Sequence, residues 1–228
     1  MSDGCTIIDG ISVGARFNTG VMEHVNDWLG VVGALQWNEA TAAGGTNLVT
    51  TTQLTNNNPG VMRQRAVVGA GSRAGVRLDT TAFIMGAVAY TWEAILQYQT
   101  WVGEDGESFD GFGDTAQITA LTNRIGFHID QSSGNIFAQT EAASVSTSTD
   151  TTVAVAGVGT YIHLQFVATS ASVAFLIDGA LVTTITTNIP AVGIGAVHLI
   201  ERGLAGAVNV EKFVDLTHIS AVGLNRTP

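Results

Sequence analysis

Five acids, Glu104, Asp105, Glu107, Asp110 and Asp114, fall between residues 104 and 114, interleaved with Gly103, Gly106, Gly111 and Gly113. Hard oxygen donors on a glycine-containing loop suit calcium. The spacing does not follow the calcium-loop pattern of alternating acids or amides, then glycine and a distant glutamate. A solvated loop with capped turns is the competing reading, and no metal or cofactor is assigned. Trp101 stands at the edge of this stretch, where an indole can stack on a sugar ring or a partner surface. Arg63, Arg65, Arg73 and Arg77 place four of the nine basic residues on positions of one parity. Two readings stand for them: a patch that meets the acidic stretch of another subunit through guanidinium–carboxylate pairs, or ordinary intramolecular and solvated charge. His24, His128, His163, His198 and His218 are scattered without ligand spacing and read as strand histidines. Neither a Gly-x-Ser-x-Gly elbow, a phosphate loop nor a dinucleotide fingerprint is present, so no catalytic residue is assigned.

The elements that must position these groups read as strands. In Tyr161–Ala168, Ile162, Leu164, Phe166 and Ala168 alternate with Tyr161, His163 and Gln165, the period of a half-buried strand. Val173, Phe175 and Ile177 alternate likewise up to Asp178-Gly179, a pair that favours a type I′ turn, and Leu181, Thr183 and Ile185 form the return strand. Ile125, Phe127 and Ile129 are expected inward on a strand from Arg124 to Asp130. Phe83 to Thr100 reads as one long strand or as two with a bend at Gly86, and puts Tyr90, Trp92, Ala94, Leu96 and Tyr98 on one face. Val102 to Asp114 reads as a loop, and the Ser/Thr-rich segment 144–152 as a strand with an exposed polar loop. No helix stands out. Many short strands at regular spacing predict an all-β, antiparallel two-sheet sandwich.

Composition narrows the function classes. With 46% hydrophobic and 12% charged residues, the 228-residue chain can fill a large core. A formal charge of −10 argues against nucleic acid and anionic membranes as partners. The single Cys5 forms no intramolecular disulfide, and neither a signal peptide nor an apolar run long enough to span a membrane is visible. Synthesis in a host cytoplasm is therefore expected. Residues 1–58, rich in Gly, Thr and Asn and containing Trp28 and Trp37, form an irregular N-terminal segment, closed by the turn signal Asn56-Asn-Asn-Pro-Gly60. That segment is either the first edge of the sandwich or an arm on neighbouring subunits, and 59–228 is the sandwich domain.

The ordered series Asn58-Pro-Gly-Val61, Trp92–Leu96, Gly111–Asp114, Arg124–Phe127, Gly134–Thr140, Tyr161–Leu164 and Val173–Ile185 closing on Asn188-Ile-Pro190 resembles the concanavalin A-like jelly rolls, of lectin and glucanase type, in bacteriophage virion proteins. The resemblance covers about residues 58 to 220. It implies a non-enzymatic structural subunit in the virion, a capsid decoration or stabilising protein or a tail or fibre component, partnered by other virion proteins and copies of itself. The alternative it leaves open is a carbohydrate- or receptor-binding, lectin-like module that contacts a host surface glycan. Glucanases of this fold place their acids on one strand in the order Glu, apolar, Asp, apolar, sometimes one more residue, Glu. Glu104-Asp-Gly-Glu107 departs from that order, and Glu93 lacks the acids that should follow it. Ligand or partner contact is expected at Trp101, Asp105, Glu107, Asp110, Asp114 and the four arginines.

Overall fold

The computed structural model describes residues 7–8, 11–12, 21–26, 37–50, 61–78, 83–86, 88–99, 106–130, 134–155, 160–202 and 209–222. In chain order the strands are β1 (Ile7–Ile8), β2 (Ile11–Ser12), β3 (Val21–Asn26), β4 (Trp37–Ala42), β5 (Thr46–Thr50), β6 (Val61–Ala66), β7 (Arg73–Leu78), β8 (Phe83–Ile84) and β9 (Ala89–Gln99). They continue as β10 (Glu107–Gly113), β11 (Arg124–Asp130), β12 (Asn135–Ala142), β13 (Val145–Ala154), β14 (Tyr161–Ala168), β15 (Val173–Ile177), β16 (Ala180–Ile185), β17 (Gly193–Glu201) and β18 (Val210–Val222). A 3₁₀ turn, Ile118–Ala120, lies between β10 and β11.

Two antiparallel sheets face each other. The first runs β13-β12-β11-β10-β17-β7-β4, with β8 on β17; the second runs β16-β15-β14-β9-β18-β6-β5, with β3 on β18. The all-β sandwich expected from the alternation is therefore present. Strands β3, β4 and β5, from the first 58 residues, join these sheets. Alternation decides what enters the core: Trp92, Leu96, Phe127, Leu164, Phe166, Phe175 and Ile200 meet between the sheets. Trp92 stacks on Phe166 with centroids 5.3 Å apart, and Phe166 meets the edge of Phe112 at 5.2 Å. Rings of this size dominate the apolar area removed from water, about 25 cal/mol per Å².

Several local expectations have direct counterparts. Asp178 and Gly179 both take positive φ, 50° and 78°, as a type I′ turn requires. The 83–100 stretch is two strands, and its inward row is buried while Ile95 points outward, half-buried. One expectation is corrected: Glu107–Gly113 is not a loop but β10, a central strand between β11 and β17. Its acids and glycines obscured the signal. Phe112 enters the main core, while Phe109, on the opposite face, joins a second small cluster with Ile118, Leu121, Val197 and Leu199. Gly111, at φ 152°, and Gly126 face each other across β10 and β11; a Cβ on either would lie within 2.3 Å of backbone oxygen on the neighbouring strand. The two strands approach closely because both positions lack a side chain.

Candidate functional site

The outer face of the first sheet carries a cleft of about 480 Å³, walled by the segment that connects β10 to β11. Asp114, at the end of β10, ties that segment down. It accepts from Thr122 N at 3.2 Å, Thr122 Oγ1 at 2.5 Å and Asn123 Nδ2 at 2.9 Å. These bonds hold its carboxyl below the ordinary range although burial alone would raise it. Arg77, from β7, donates to the Asp114 carbonyl at 3.1 Å. Glu201, outward on β17, accepts from Ile118 N at 3.1 Å, Thr119 N at 3.4 Å and Thr119 Oγ1 at 3.2 Å. A carboxylate thus satisfies backbone donors that the short 3₁₀ turn leaves open. Beneath, Ile118 and Leu121 pack on Phe109, Val197 and Leu199.

The cleft itself is lined by Glu107, Thr119, Arg124, His128, Glu141 and Ser144 among others. Arg124 Nε and Nη2 donate to Glu141 Oε2 at 2.6 and 2.5 Å, and the guanidinium lies 5.6 Å from the Phe109 ring centre. Glu107, with its side chain 45% exposed, faces His128 Nε2 at 3.6 Å, and that nitrogen has no hydrogen-bond partner. Gln139, beside Gly126 on the same face, is buried with Oε1 unpartnered. Glu107 is level with Asp130, whereas Glu141 is level with Arg124, six residues along β11. At about 3.3 Å per residue the two rows are about 20 Å apart, too far for the paired carboxyls of a glycosidase, which stand about 5 to 9.5 Å apart. Among the described side chains of β11, Arg124, Gly126 and His128 face outward, separated by the inward Ile125 and Phe127.

The remaining residues singled out in the sequence separate. Asp110 is completely buried between the sheets, where Oδ1 accepts from Lys212 Nζ at 2.6 Å and His198 Nδ1 at 2.8 Å, and Oδ2 from the Tyr98 hydroxyl at 2.9 Å. Lys212 also donates to Ser108 Oγ and the Leu199 carbonyl, both at 3.0 Å, so its three protons meet three acceptors. Burial pushes the Asp110 carboxyl up, but the Lys212 ammonium and the His198 bond override it and hold it at about 2. Burial lowers His198, favouring the neutral ring that donates from Nδ1 and accepts the Thr217 hydroxyl at Nε2, 2.8 Å away. This network joins the sheets and reaches no solvent.

The four arginines do not form one patch. Arg63 and Arg65 lie on the outer face of the second sheet, where both pair with Glu211; Arg73 and Arg77 lie on the outer face of the first. The parity is common, but β6 and β7 belong to different sheets. Trp101 and Asp105 lie outside the described residues. Sequence reading missed Arg124, His128, Glu141 and Glu201 as site residues; the outward row between Ile125, Phe127 and Ile129 was the available signal for the first two. On the second sheet, Glu93 Oε1 meets His218 Nδ1 at 2.7 Å, and Oε2 meets His163 Nε2 at 3.1 Å and Gln165 Nε2 at 3.3 Å. Among the described residues, no group of three or more His, Cys, Asp or Glu is placed to hold a metal.

The profile of the family described as "SO2946-like, C-terminal domain" matches residues 57–210. No curated protein matches the chain. A protein of unknown function, SO2946 from Shewanella oneidensis MR-1, superposes with a TM-score of 0.67 at 15% identity, covering 93% of this chain and 92% of that one. The β-glucanase of Bacillus licheniformis gives 0.59 at 14%, covering 86% and 97%. A lichenase from a mouse hindgut metagenome gives 0.59 at 11%, covering 89% and 99%. These likenesses establish the concanavalin A-like, glucanase-type sandwich. They also correct two expectations, the structural virion subunit and the non-enzymatic protein: the neighbours are mainly glucanases and glycoside hydrolases, and nothing in the comparisons links the chain to a bacteriophage.

Proposed function

Since the chain belongs to the SO2946-like C-terminal domain family and carries a polar cleft on a glucanase-type sandwich, we propose that it is a carbohydrate-active protein that binds a glycan in that cleft. The observation that carries this reading is the half-exposed Glu107 carboxylate facing the unbonded Nε2 of His128 at the cleft wall. The Arg124–Glu141 pair and the Thr119 hydroxyl add donors and acceptors suited to sugar hydroxyls. Chemistry on a bound glycan would pass through this imidazole–carboxylate pair at the cleft wall, which can give and take a proton. Support comes from the structural neighbours, which include β-glucanases, a lichenase and an alginate lyase.

The test is a soluble-glycan binding screen followed by calorimetry, with release of reducing ends and of unsaturated products measured in parallel. His128→Ala and Glu107→Gln should weaken binding or abolish product at unchanged melting temperature. Saturable binding without product retains the glycan site and removes the proton-transfer role. Absence of binding across neutral, amino and acidic glycans overturns the reading.

A further inference from the structure

β13 is the outer edge of the first sheet, so among the described residues no strand lies on one side of its backbone. It is also the longest of the four outer strands: ten residues, against six in β16 and β4 and five in β5. Long edges in folded proteins are usually guarded by lysine, proline or inward charges. Val145-Ser-Thr-Ser-Thr-Asp-Thr-Thr-Val-Ala154 has neither proline nor a basic residue, and Asp150 is its single charge. The strand is held from behind: Thr147 Oγ1 meets Thr187 Oγ1 at 2.8 Å and Asn188 Nδ2 at 2.9 Å, and Thr151 Oγ1 donates to the Ile136 carbonyl at 2.6 Å. Thr152, at φ 60°, ends the straight run, leaving Val145–Thr151 as an extended template.

We infer that this edge pairs antiparallel with the same edge of a second copy, about a two-fold axis through Ser148. That register makes the sequence complementary to itself. On the inward face Val145 meets Thr151 and Thr147 meets Thr149, all β-branched, and such cross-strand pairs are favourable. On the outward face Ser146 meets Asp150 and Ser148 meets Ser148. The two Asp150 carboxylates therefore stand apart, each already bound by its own Asn135 Nδ2 at 3.0 Å. A formal charge of −10 opposes association of two copies over most of the surface, but this segment carries only one of the nineteen acids. Pairing also covers Val145, 58% exposed in the single chain. The interface is isologous and closes after two copies. It is small, so the dimer is concentration-dependent.

Sedimentation velocity over concentrations that detect a Kd of roughly 1 mM or tighter tests it. The wild type should approach twice 23.7 kDa. Ser148→Lys sets two ammonium groups directly opposite each other and should weaken the dimer by about fivefold or more; Ser148→Glu should do the same. An equal mixture of the two variants should regain the dimer, because each lysine then faces a glutamate. Ser148 is exposed, so the melting temperature should not change. A wild type that stays monomeric, a dimer indifferent to both variants, or a mixture that fails to recover overturns the inference.

Discussion

Replacing Lys212 by Met keeps the length of the side chain and removes the ammonium from between the sheets. Asp110 then retains Tyr98, Ser108 and His198 as donors but loses the Lys212 ammonium, in a site where neither partner touches solvent. Breaking a buried ion pair from one side costs about 3–5 kcal/mol, a large part of the roughly 5–15 kcal/mol that stabilises a typical domain. The native pair also carries a pH signature. A carboxyl held at about 2 instead of 3.8 contributes roughly 2.4 kcal/mol at neutral pH. Because the folded value is depressed, that contribution is complete well above pH 3.8 and lost as the pH falls through about 2; about 1 kcal/mol is gone by pH 3. In Lys212→Met nothing cationic opposes burial, the carboxyl moves up, and Asp110 becomes neutral in the folded state on mild acidification. The deficit of the variant should therefore be about 3–5 kcal/mol at pH 7 and distinctly smaller at pH 3. Urea titrations followed by tryptophan fluorescence measure it, since Trp92 sits in the same core. Adding Asp110→Asn to Lys212→Met should recover part of the loss by removing the orphaned charge. A deficit below about 1 kcal/mol at pH 7, or one equal at both pH values, would refute the buried ion pair as an element of stability.

Gly126→Ala brings a methyl to 2.3 Å from the Asp110 carbonyl and 2.9 Å from the Phe109 ring, so β10 and β11 must separate; a loss of about 2 kcal/mol or more is expected in chemical denaturation. Trp92→Ala removes the ring that stacks on Phe166 and should cost about 3–5 kcal/mol by the same measurement. Glu201→Ala deprives the Ile118 and Thr119 amides of their acceptor, so hydrogen exchange over 118–121 should accelerate while the sheet amides stay protected, and global stability should fall by about 1–2 kcal/mol.

Period-two alternation carried most of the fold, because burying one face of a strand is a local demand that each segment states by itself. Tyr161–Ala168, Val173–Ile177 and Arg124–Asp130 have their apolar rows in the core, and the Asp178-Gly179 turn follows from backbone sterics alone. β10 failed that test because its outer face is covered by its own connection to β11: Phe109 and Phe112 are both buried, on opposite faces, and Gly111 and Gly113 stand where alternation is normally read.

What the sequence left undecided was which charges meet. Asp110 and Lys212 are 102 positions apart, and only the stacking of two sheets makes them a pair; Asp110 and Asp114 are four apart, yet one is sealed in the core and the other clasps a surface turn. The arginines of β6 and β7 share a parity but not a sheet, so tertiary structure divides them between opposite outer faces. The cleft arises in the same way, from Glu107 on β10, His128 and Arg124 on β11 and Glu141 on β12. A strand fixes which of its two faces each side chain occupies, but its neighbours are chosen by sheet order, and sheet order is settled by the burial free energy of the whole core, which no single segment encodes.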